Sequence, residues 1–130
     1  RGVVQDAPPL EVYRRPASEG AAEMTGRCTL VNADVQGGMA ATTLGTIPVC
    51  IDEDGYRTLM MRPEGLKFIA EADGPLTVSA VQFAGAHHVL SCDYKEGQIE
   101  ILWSSQEAPP APGTRGSLET TTAAWAIPSN

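Results

Sequence analysis

The sequence has few aromatic side chains, few lysines and no long apolar run. Only two tryptophans, three tyrosines and two phenylalanines occur in 130 residues, so a core must be built mainly from smaller aliphatic side chains. No stretch reaches the roughly 18 consecutive apolar residues of a membrane-spanning helix, and the first residues lack the pattern of a secretory signal. We therefore expect a protein that does not insert into a membrane.

Positive charge is also scarce. Nine lysines and arginines stand against 16 aspartates and glutamates, which gives a formal net charge of −7 at pH 7. Because such a surface repels phosphate backbones, nucleic acid is not an expected partner. The only lysines, Lys67 and Lys95, do not follow a glycine, so the sequence has no Gly-x-x-x-x-Gly-Lys-Ser/Thr loop for nucleotide phosphates.

The three cysteines, Cys28, Cys50 and Cys92, are an odd number and lie far apart in the sequence. A disulfide framework or a zinc ribbon needs paired or Cys-x-x-Cys spacing, so this set predicts reduced thiols in a cytosolic protein. A catalytic serine or cysteine would need an oriented base beside it, and both histidines lie on one short segment. We therefore expect no catalytic residue in this chain.

Glycine and proline are frequent, with 13 and 10 residues respectively. The length fits one domain, and frequent glycine and proline residues favour short strands and turns over long helices. The clearest strand pattern is at residues 98–103, where Ile99 and Ile101 share one face and polar side chains occupy the other. The sequence predicts a mostly β fold.

A second alternating run, residues 76–83, changes phase along its length. Its apolar set moves to Val81 and Phe83, which predicts a bulge near Ala80. Turn signals separate such runs, and they occur at residues 37–38 (Gly-Gly), 52–55 (Asp-Glu-Asp-Gly), 72–75 (Ala-Asp-Gly-Pro) and 95–97 (Lys-Glu-Gly). We interpret the acidic turn at 52–55 as a solvated hairpin turn. This spacing of strands and turns is typical of a small barrel or sandwich.

The C-terminal part begins with a proline-rich segment. Residues 106–113 predict a loop, because three prolines cannot join a central strand. A last pair of strands is expected at about 115–119 and 124–127. Trp103 and Trp125 are interpreted as core side chains in preference to interface anchors, because the chain has so few other large aromatics.

The first 26 residues differ from the rest. Residues 8–16 predict a short helix that starts at two prolines and ends at a third, and residues 18–24 predict one or two further helical turns. We therefore expect a helical or linker segment over residues 1–26.

One cluster carries side chains able to bind a metal: His87, His88, Cys92 and Asp93. A sensor site with these ligands would make chemical sense. Neighbouring residues of a strand point to opposite faces, however, so His87 and His88 cannot easily reach one ion. We prefer the interpretation that these are polar strand residues near a turn, with no metal bound.

Several segments resemble the ATP-binding subunits of importer-type ABC transporters. Residues 2–5 (Gly-Val-Val-Gln) and 7–16 (Ala-Pro-Pro-Leu-Glu-Val-Tyr-Arg-Arg-Pro) are similar to the end of their nucleotide-binding domain. Residues 61–66 (Met-Arg-Pro-Glu-Gly-Leu) resemble the Arg-Pro-Glu motif of the transport-associated OB-type (TOBE) domain that follows. Residues 44–49 (Leu-Gly-Thr-Ile-Pro-Val) and 111–114 (Ala-Pro-Gly-Thr) are similar to an early hairpin and a late turn of that domain.

The resemblance implies that residues 27–130 form a non-catalytic accessory domain, an OB-like barrel of about five to six strands. Residues 1–26 would be the tail of the nucleotide-binding domain and a linker. The parent subunit would bind ATP and Mg, hydrolyse ATP with motifs upstream of Arg1, and form a homodimer beneath membrane permease subunits. Its location would be cytoplasmic, at the inner face of the plasma membrane. The early hairpin is most similar to ferric-iron, polyamine or phosphonate importers.

Within this resemblance, Arg62, Pro63 and Glu64 are expected to have a structural and regulatory role. The fixed backbone of Pro63 would set the direction of the chain, and the two charges beside it would form a pair. The alternative is a small-ligand or metal- and oxyanion-sensing OB-like module that uses the barrel mouth and residues 87–93. That alternative requires the isolated domain to bind an oxyanion or a divalent metal stoichiometrically.

Overall fold

The structure is a computed structural model, and it describes residues 27–50 and 53–128. The helical and linker segment predicted over residues 1–26 lies outside the described residues. Within the described residues, ten strands follow one another: β1 (Thr29–Gln36), β2 (Met39–Thr42), β3 (Gly45–Pro48), β4 (Gly55–Met61), β5 (Leu66–Ala70), β6 (Leu76–Ala84), β7 (His87–Tyr94), β8 (Gly97–Ser104), β9 (Arg115–Thr120) and β10 (Trp125–Ala126). A short 3-10 helix, Pro63–Gly65, lies between β4 and β5.

The strands form two five-stranded sheets. The first sheet has the order β10-β4-β1-β2-β3 and the second has the order β5-β9-β6-β7-β8. The predicted mostly β class is confirmed, and the two sheets are consistent with a small OB-like domain. There are more strands than the five to six expected, because β2 and β3 have four residues each and β10 has two. Such short strands show almost no alternation in sequence.

The first sheet is organised around β1, which pairs with β4 from Thr29 opposite Met61 to Val35 opposite Gly55. The turn predicted at residues 37–38 joins β1 to β2, and both of its glycines have positive φ (60° and 76°), as a tight two-residue hairpin turn requires. Residue 52 of the predicted hairpin turn at 52–55 lies outside the described residues, and the flanking strands β3 and β4 do not pair with each other. β4 pairs with β1 along one edge and with β10 along the other, so neither edge is left for β3.

The two ends of the first sheet meet. Val49, just after β3, forms a parallel bridge with Ala124, just before β10. The backbone N–H of Cys50 donates to the Ala124 carbonyl oxygen at 3.0 Å, and the Ala124 N–H donates to the Pro48 carbonyl oxygen at 2.9 Å. The otherwise unpaired edges of β3 and β10 are therefore joined there, which gives the first sheet a barrel-like curvature.

The second sheet confirms the alternation at residues 98–103 and the turn at 95–97, which joins β7 to β8. It also confirms the bulge, since the pairing of β6 with β7 shifts between Val78 and Ala80. Beyond the bulge, Val81 packs against the core but Phe83 is 66% exposed. Phe83 lies near the end of β6, beyond the buried part of the sheet, so its apolar character does not indicate burial.

The C-terminal segment confirms the loop at residues 106–113 and the last two strands near their expected positions, but these two strands do not pair with each other. β9 lies in the second sheet between β5 and β6, whereas β10 pairs with β4 in the first sheet. The two strands do not form a hairpin, because both edges of β9 are already taken by β5 and β6. The last described residues cross from one sheet to the other.

One apolar core lies between the sheets and takes side chains from both. Its largest fully buried side chains are those of Val35, Ile47, Leu59, Leu76, Val78, Leu90, Cys92, Ile99 and Ile101. Trp103 packs against this core and is half-buried, as expected. Trp125 is also half-buried, but it packs in a smaller cluster with Met60 and Ile127. Both tryptophans therefore pack against buried clusters, but they are less buried than the core placement expected of them.

Candidate functional site

Residues 62–65, which carry the Arg-Pro-Glu motif, form the corner between the two sheets. β4 ends at Met61 in the first sheet, and β5 begins at Leu66 in the second. Arg62 is extended, and Pro63 begins the 3-10 helix, where its fixed φ is suitable and its missing N–H is not needed. The Leu66 N–H donates to the Pro63 carbonyl oxygen, which closes the helical turn.

The structure places the two charges of the motif in different environments. Arg62 is buried, with 8% of its surface exposed, whereas Glu64 is exposed. Nη1 of Arg62 donates a hydrogen bond of 3.0 Å to the carbonyl oxygen of Arg27. A buried guanidinium needs such acceptors to offset its loss of hydration. Arg62 therefore acts within the fold, and Glu64 faces its surface.

Arg62 binds the carbonyl oxygen of Arg27, and the side chain of Arg27 makes a second contact. Its Nη1 lies 2.8 Å from Oε2 of Glu100 on β8, in an ion pair whose side chains are 57% and 35% exposed. Arg27 is thus in contact with the end of β4 through its backbone and with the second sheet through its guanidinium. These three residues connect both sheets at the point where the described chain begins.

Sequence reasoning missed Arg27 and Glu100. Glu100 is visible only as a polar residue on the outer face of a strand, and Arg27 as a residue just after a glycine. The two are 73 positions apart, so no local periodicity or motif spacing connects them. Only the pairing of strands within the fold brings them together.

The metal-capable residues all lie on β7, and they do not converge. His87 is exposed, His88 is half-buried, Cys92 is buried in the core, and Asp93 is exposed. Within residues 27–50 and 53–128, no three side chains of His, Cys, Asp or Glu are grouped so that they could hold a metal ion. The reason is the alternation of a strand, which sends adjacent side chains to opposite faces.

His88 has an aromatic neighbour instead. Its ring lies edge-on to Phe83, with the ring centroids 5.4 Å apart and the planes at 68°. Its Nδ1 atom is buried and has no hydrogen-bond partner within the described structure. The Phe83 contact is a packing interaction between neighbouring strands, in the edge-to-face geometry that aromatic rings prefer.

The thiol of Cys92 is buried in the core. Burial raises its pKa from 9.0 to about 11, and the nearby charge of Asp93 adds to the rise. Burial also raises the pKa of Tyr94 above its ordinary value, with a further contribution from Glu96. Since the thiolate is both the nucleophile and the metal ligand, a thiol kept neutral in the core is suited to neither role.

We therefore expect a maleimide reagent at pH 8 to modify the exposed Cys50 and to leave Cys92 unmodified in the folded chain. The folded pKa of Cys92 lies above the unfolded one, so stability from the neutral thiol is complete below pH 9.0 and falls as the pH rises toward about 11. Mass spectrometry of the labelled peptides measures the modification, and urea unfolding across this pH range measures the stability. Labelling in urea provides the control for full reactivity, and fast native labelling of Cys92 at pH 8 would contradict its burial.

In the part of the chain that the structure describes, no helix has the length and apolar character needed to cross a membrane. No protein-family model matches the chain. Among curated proteins, it is similar to the Fe(3+) ions import ATP-binding protein FbpC of Streptomyces coelicolor, with 37% identity over 87 residues, which are 65% of this chain and 25% of that protein. The protein of the same name from Streptomyces avermitilis is 32% identical over 111 residues, 82% of this chain and 32% of that protein.

A further relative is the sn-glycerol-3-phosphate import ATP-binding protein UgpC of Salmonella choleraesuis, with 28% identity over 123 residues, 82% of this chain and 33% of that protein. The chain thus spans between a quarter and a third of the length of these relatives. Such coverage is consistent with a C-terminal domain of an importer ATPase, and it confirms the resemblance seen in the motifs. By homology over most of its length, the chain belongs to the ATP-binding proteins of ABC importers.

Proposed function

We propose that this chain is the C-terminal regulatory and dimerisation domain of an importer ATP-binding subunit, and that it catalyses no reaction by itself. The observation that supports this most is partial coverage: 82% of the chain aligns with only 32% of the relative from Streptomyces avermitilis. Residues 1–26 would be the end of the nucleotide-binding domain and the linker, and residues 27–130 the accessory domain.

The described residues do not fit a nucleotide. A phosphate site of the usual kind needs a glycine-rich loop before a helix, with a lysine that neutralises the phosphates. Here Lys67 lies within β5 and Lys95 lies in the turn between β7 and β8. We therefore assign ATP and Mg to the parent subunit, outside this chain.

In this proposal the barrel acts mechanically. Two ATPase subunits form a homodimer at the inner face of the membrane, below the permease subunits, and contacts of their accessory domains bias the open and closed forms. A coupling of this kind is typically ~1–3 kcal/mol. The corner formed by Arg62, Pro63 and Glu64 contributes by fixing one sheet relative to the other, so that force applied to one is transmitted to both.

For the imported solute we propose ferric iron over sn-glycerol 3-phosphate. Both Streptomyces relatives and a third protein, from Rhodococcus jostii with 29% identity over 101 residues, carry the ferric-iron name. Polyamine and phosphonate importers, which the early hairpin also resembles, have no such support among these relatives.

Removing residues 27–130 from the full-length subunit tests the regulatory role. We expect ATP affinity to stay within about twofold, and the dimer population to change by about 5- to 150-fold, as a coupling of ~1–3 kcal/mol implies. Nucleotide titration and sedimentation measure the two quantities. The isolated 130-residue chain, titrated with MgATP in a calorimeter, is expected to give no heat of binding. MgATP binding by the chain alone, or loss of ATP affinity in the truncated subunit, would contradict the proposal.

The same truncated subunit provides a readout of the solute. In cells that carry it with its permease, we expect uptake of ferric iron to change and uptake of sn-glycerol 3-phosphate to stay the same. The opposite result would assign the domain to a phosphate-ester importer.

Calorimetry of the isolated chain with phosphate and with Zn²⁺ addresses the sensor alternative, since stoichiometric binding would support that module.

A further inference from the structure

We propose that Arg27, Arg62 and Glu100 form a latch that holds both the backbone and the side chain of Arg27 in place just before β1. We call these three residues the Arg27 latch. The biological meaning of the latch rests on the proposed function, because an accessory domain transmits force only if its connection to the preceding domain has a defined direction. The latch itself is a property of this chain alone.

The inner half of the latch is a part-buried hydrogen bond whose donor is a buried side chain. Arg62 follows β4 directly and has 8% of its surface exposed, and its Nη1 holds the Arg27 carbonyl oxygen at 3.0 Å. Breaking this bond is costly, because a hydrogen bond from a charged donor is about twice as strong as one between neutral groups. This half therefore fixes the backbone at residue 27.

The outer half is an exposed ion pair. Nη1 of Arg27 reaches Oε2 of Glu100 at 2.8 Å, and Glu100 lies on β8, opposite Ser91 of β7. With 57% and 35% of these side chains exposed, the pair is screened by salt and easily released. The ion pair contributes little to the stability of the fold, but it favours one orientation of the Arg27 side chain.

The two halves together anchor one residue to both sheets. Arg62 belongs to the corner that leaves the first sheet, and Glu100 belongs to the second sheet. If the ion pair opens while the carbonyl stays bound, the residue keeps its place but loses its second support. The hydrogen bond from Arg62 is thus the stronger contact of the latch, and the ion pair with Glu100 is the weaker one. A competing charge on a neighbouring domain would act on the ion pair.

Trypsin measures the latch directly. To cleave after Arg27, trypsin must take the Arg27 guanidinium into its specificity pocket and the Arg27 carbonyl oxygen into its oxyanion hole. Both groups are held by the latch in the native chain. We expect Glu100→Gln, which keeps the side-chain shape and removes the charge, to speed cleavage between Arg27 and Cys28 by about two- to fivefold. Mass spectrometry of fragments that begin at Cys28 gives the rate.

Two controls make the result specific. Glu119→Gln removes the same charge from β9, which two strands separate from β8 in the sheet, and is expected to leave the rate unchanged. Cleavage after the exposed Lys95, in the β7–β8 turn, reports general loosening and is expected to stay constant in both variants. Equal rates after Arg27 in Glu100→Gln and the unchanged chain would overturn the latch. So would equal acceleration after Arg27 and after Lys95. The assay uses the 130-residue chain alone, so failure of the importer assignment would leave its outcome unaffected.

Discussion

Replacing Gly116 with alanine is expected to destabilise the barrel by about 3 kcal/mol, or to prevent folding. Gly116 lies in β9, where it is opposite Ala70 on one side and Leu76 on the other. A Cβ atom at this position would overlap the Phe68 ring and lie 2.6 Å from the Ile69 carbonyl oxygen. This carbonyl belongs to the backbone of β5 and cannot move aside without breaking hydrogen bonds between β5 and β9. The strain from the added Cβ atom therefore cannot be relieved by a small shift.

Gly65→Ala is the matched control for this prediction. A Cβ at residue 65 would be 3.4 Å from Cβ of Thr122, which is ordinary van der Waals contact, and we expect a change below about 1 kcal/mol. Urea unfolding followed by tryptophan fluorescence measures both variants. If Gly116→Ala were as stable as the unchanged chain, the close packing of β9 against β5 would be wrong.

Replacing Arg62 with methionine is expected to cost about 2 kcal/mol of unfolding free energy. Methionine restores much of the apolar packing of the arginine stem, but it leaves the Arg27 carbonyl oxygen without the donor that now lies 3.0 Å away. The cost arises because this part-buried carbonyl loses a hydrogen bond from a charged donor, a contact typically worth about 1.5–3 kcal/mol. The same urea experiment measures the difference.

The neighbouring charge supplies the comparison. Glu64 is exposed in the same corner, so Glu64→Gln is expected to change stability by well under about 1 kcal/mol. The sequence motif treats Arg62 and Glu64 alike, whereas the structure separates a buried residue from a surface one. A larger loss in Glu64→Gln than in Arg62→Met would show that the surface charge is the structural member of the motif.

Local patterns predicted much of the fold. The alternation around Ile99 and Ile101, the phase shift near Ala80 and the Gly37-Gly38 turn are all consequences of period-two geometry or of turn stereochemistry within a few residues. These features need no knowledge of distant parts of the chain, which is why the sequence is sufficient for them.

Pairing between distant strands could not be predicted in the same way. The partner of β10 is β4, more than 60 residues earlier, and nothing in the two-residue strand Trp125–Ala126 indicates this. The same limit applies to the candidate site. The Arg-Pro-Glu motif is visible in the sequence, but Arg62 reaches back 35 residues to Arg27, and Arg27 reaches forward 73 residues to Glu100. Such contacts are set by topology, not by local spacing.

The separation of the metal-capable residues, in contrast, follows from local geometry. Because side chains alternate along β7, His87 and His88 point to opposite faces, and Cys92 pairs with Val78 and Ile99 within the core face. Their chemical types suggest ligands, whereas their positions on one strand keep them apart.

The most direct test of the importer assignment is the coding sequence upstream of the Arg1 codon. The assignment predicts an uninterrupted reading frame that encodes Gly-x-x-x-x-Gly-Lys-Ser/Thr about one ATPase domain before Arg1. The matching protein should then hydrolyse ATP, with the present chain as its C-terminal part. An initiator methionine close to Arg1, with no such loop before it, would contradict the account and leave a stand-alone homologue of the importer domain.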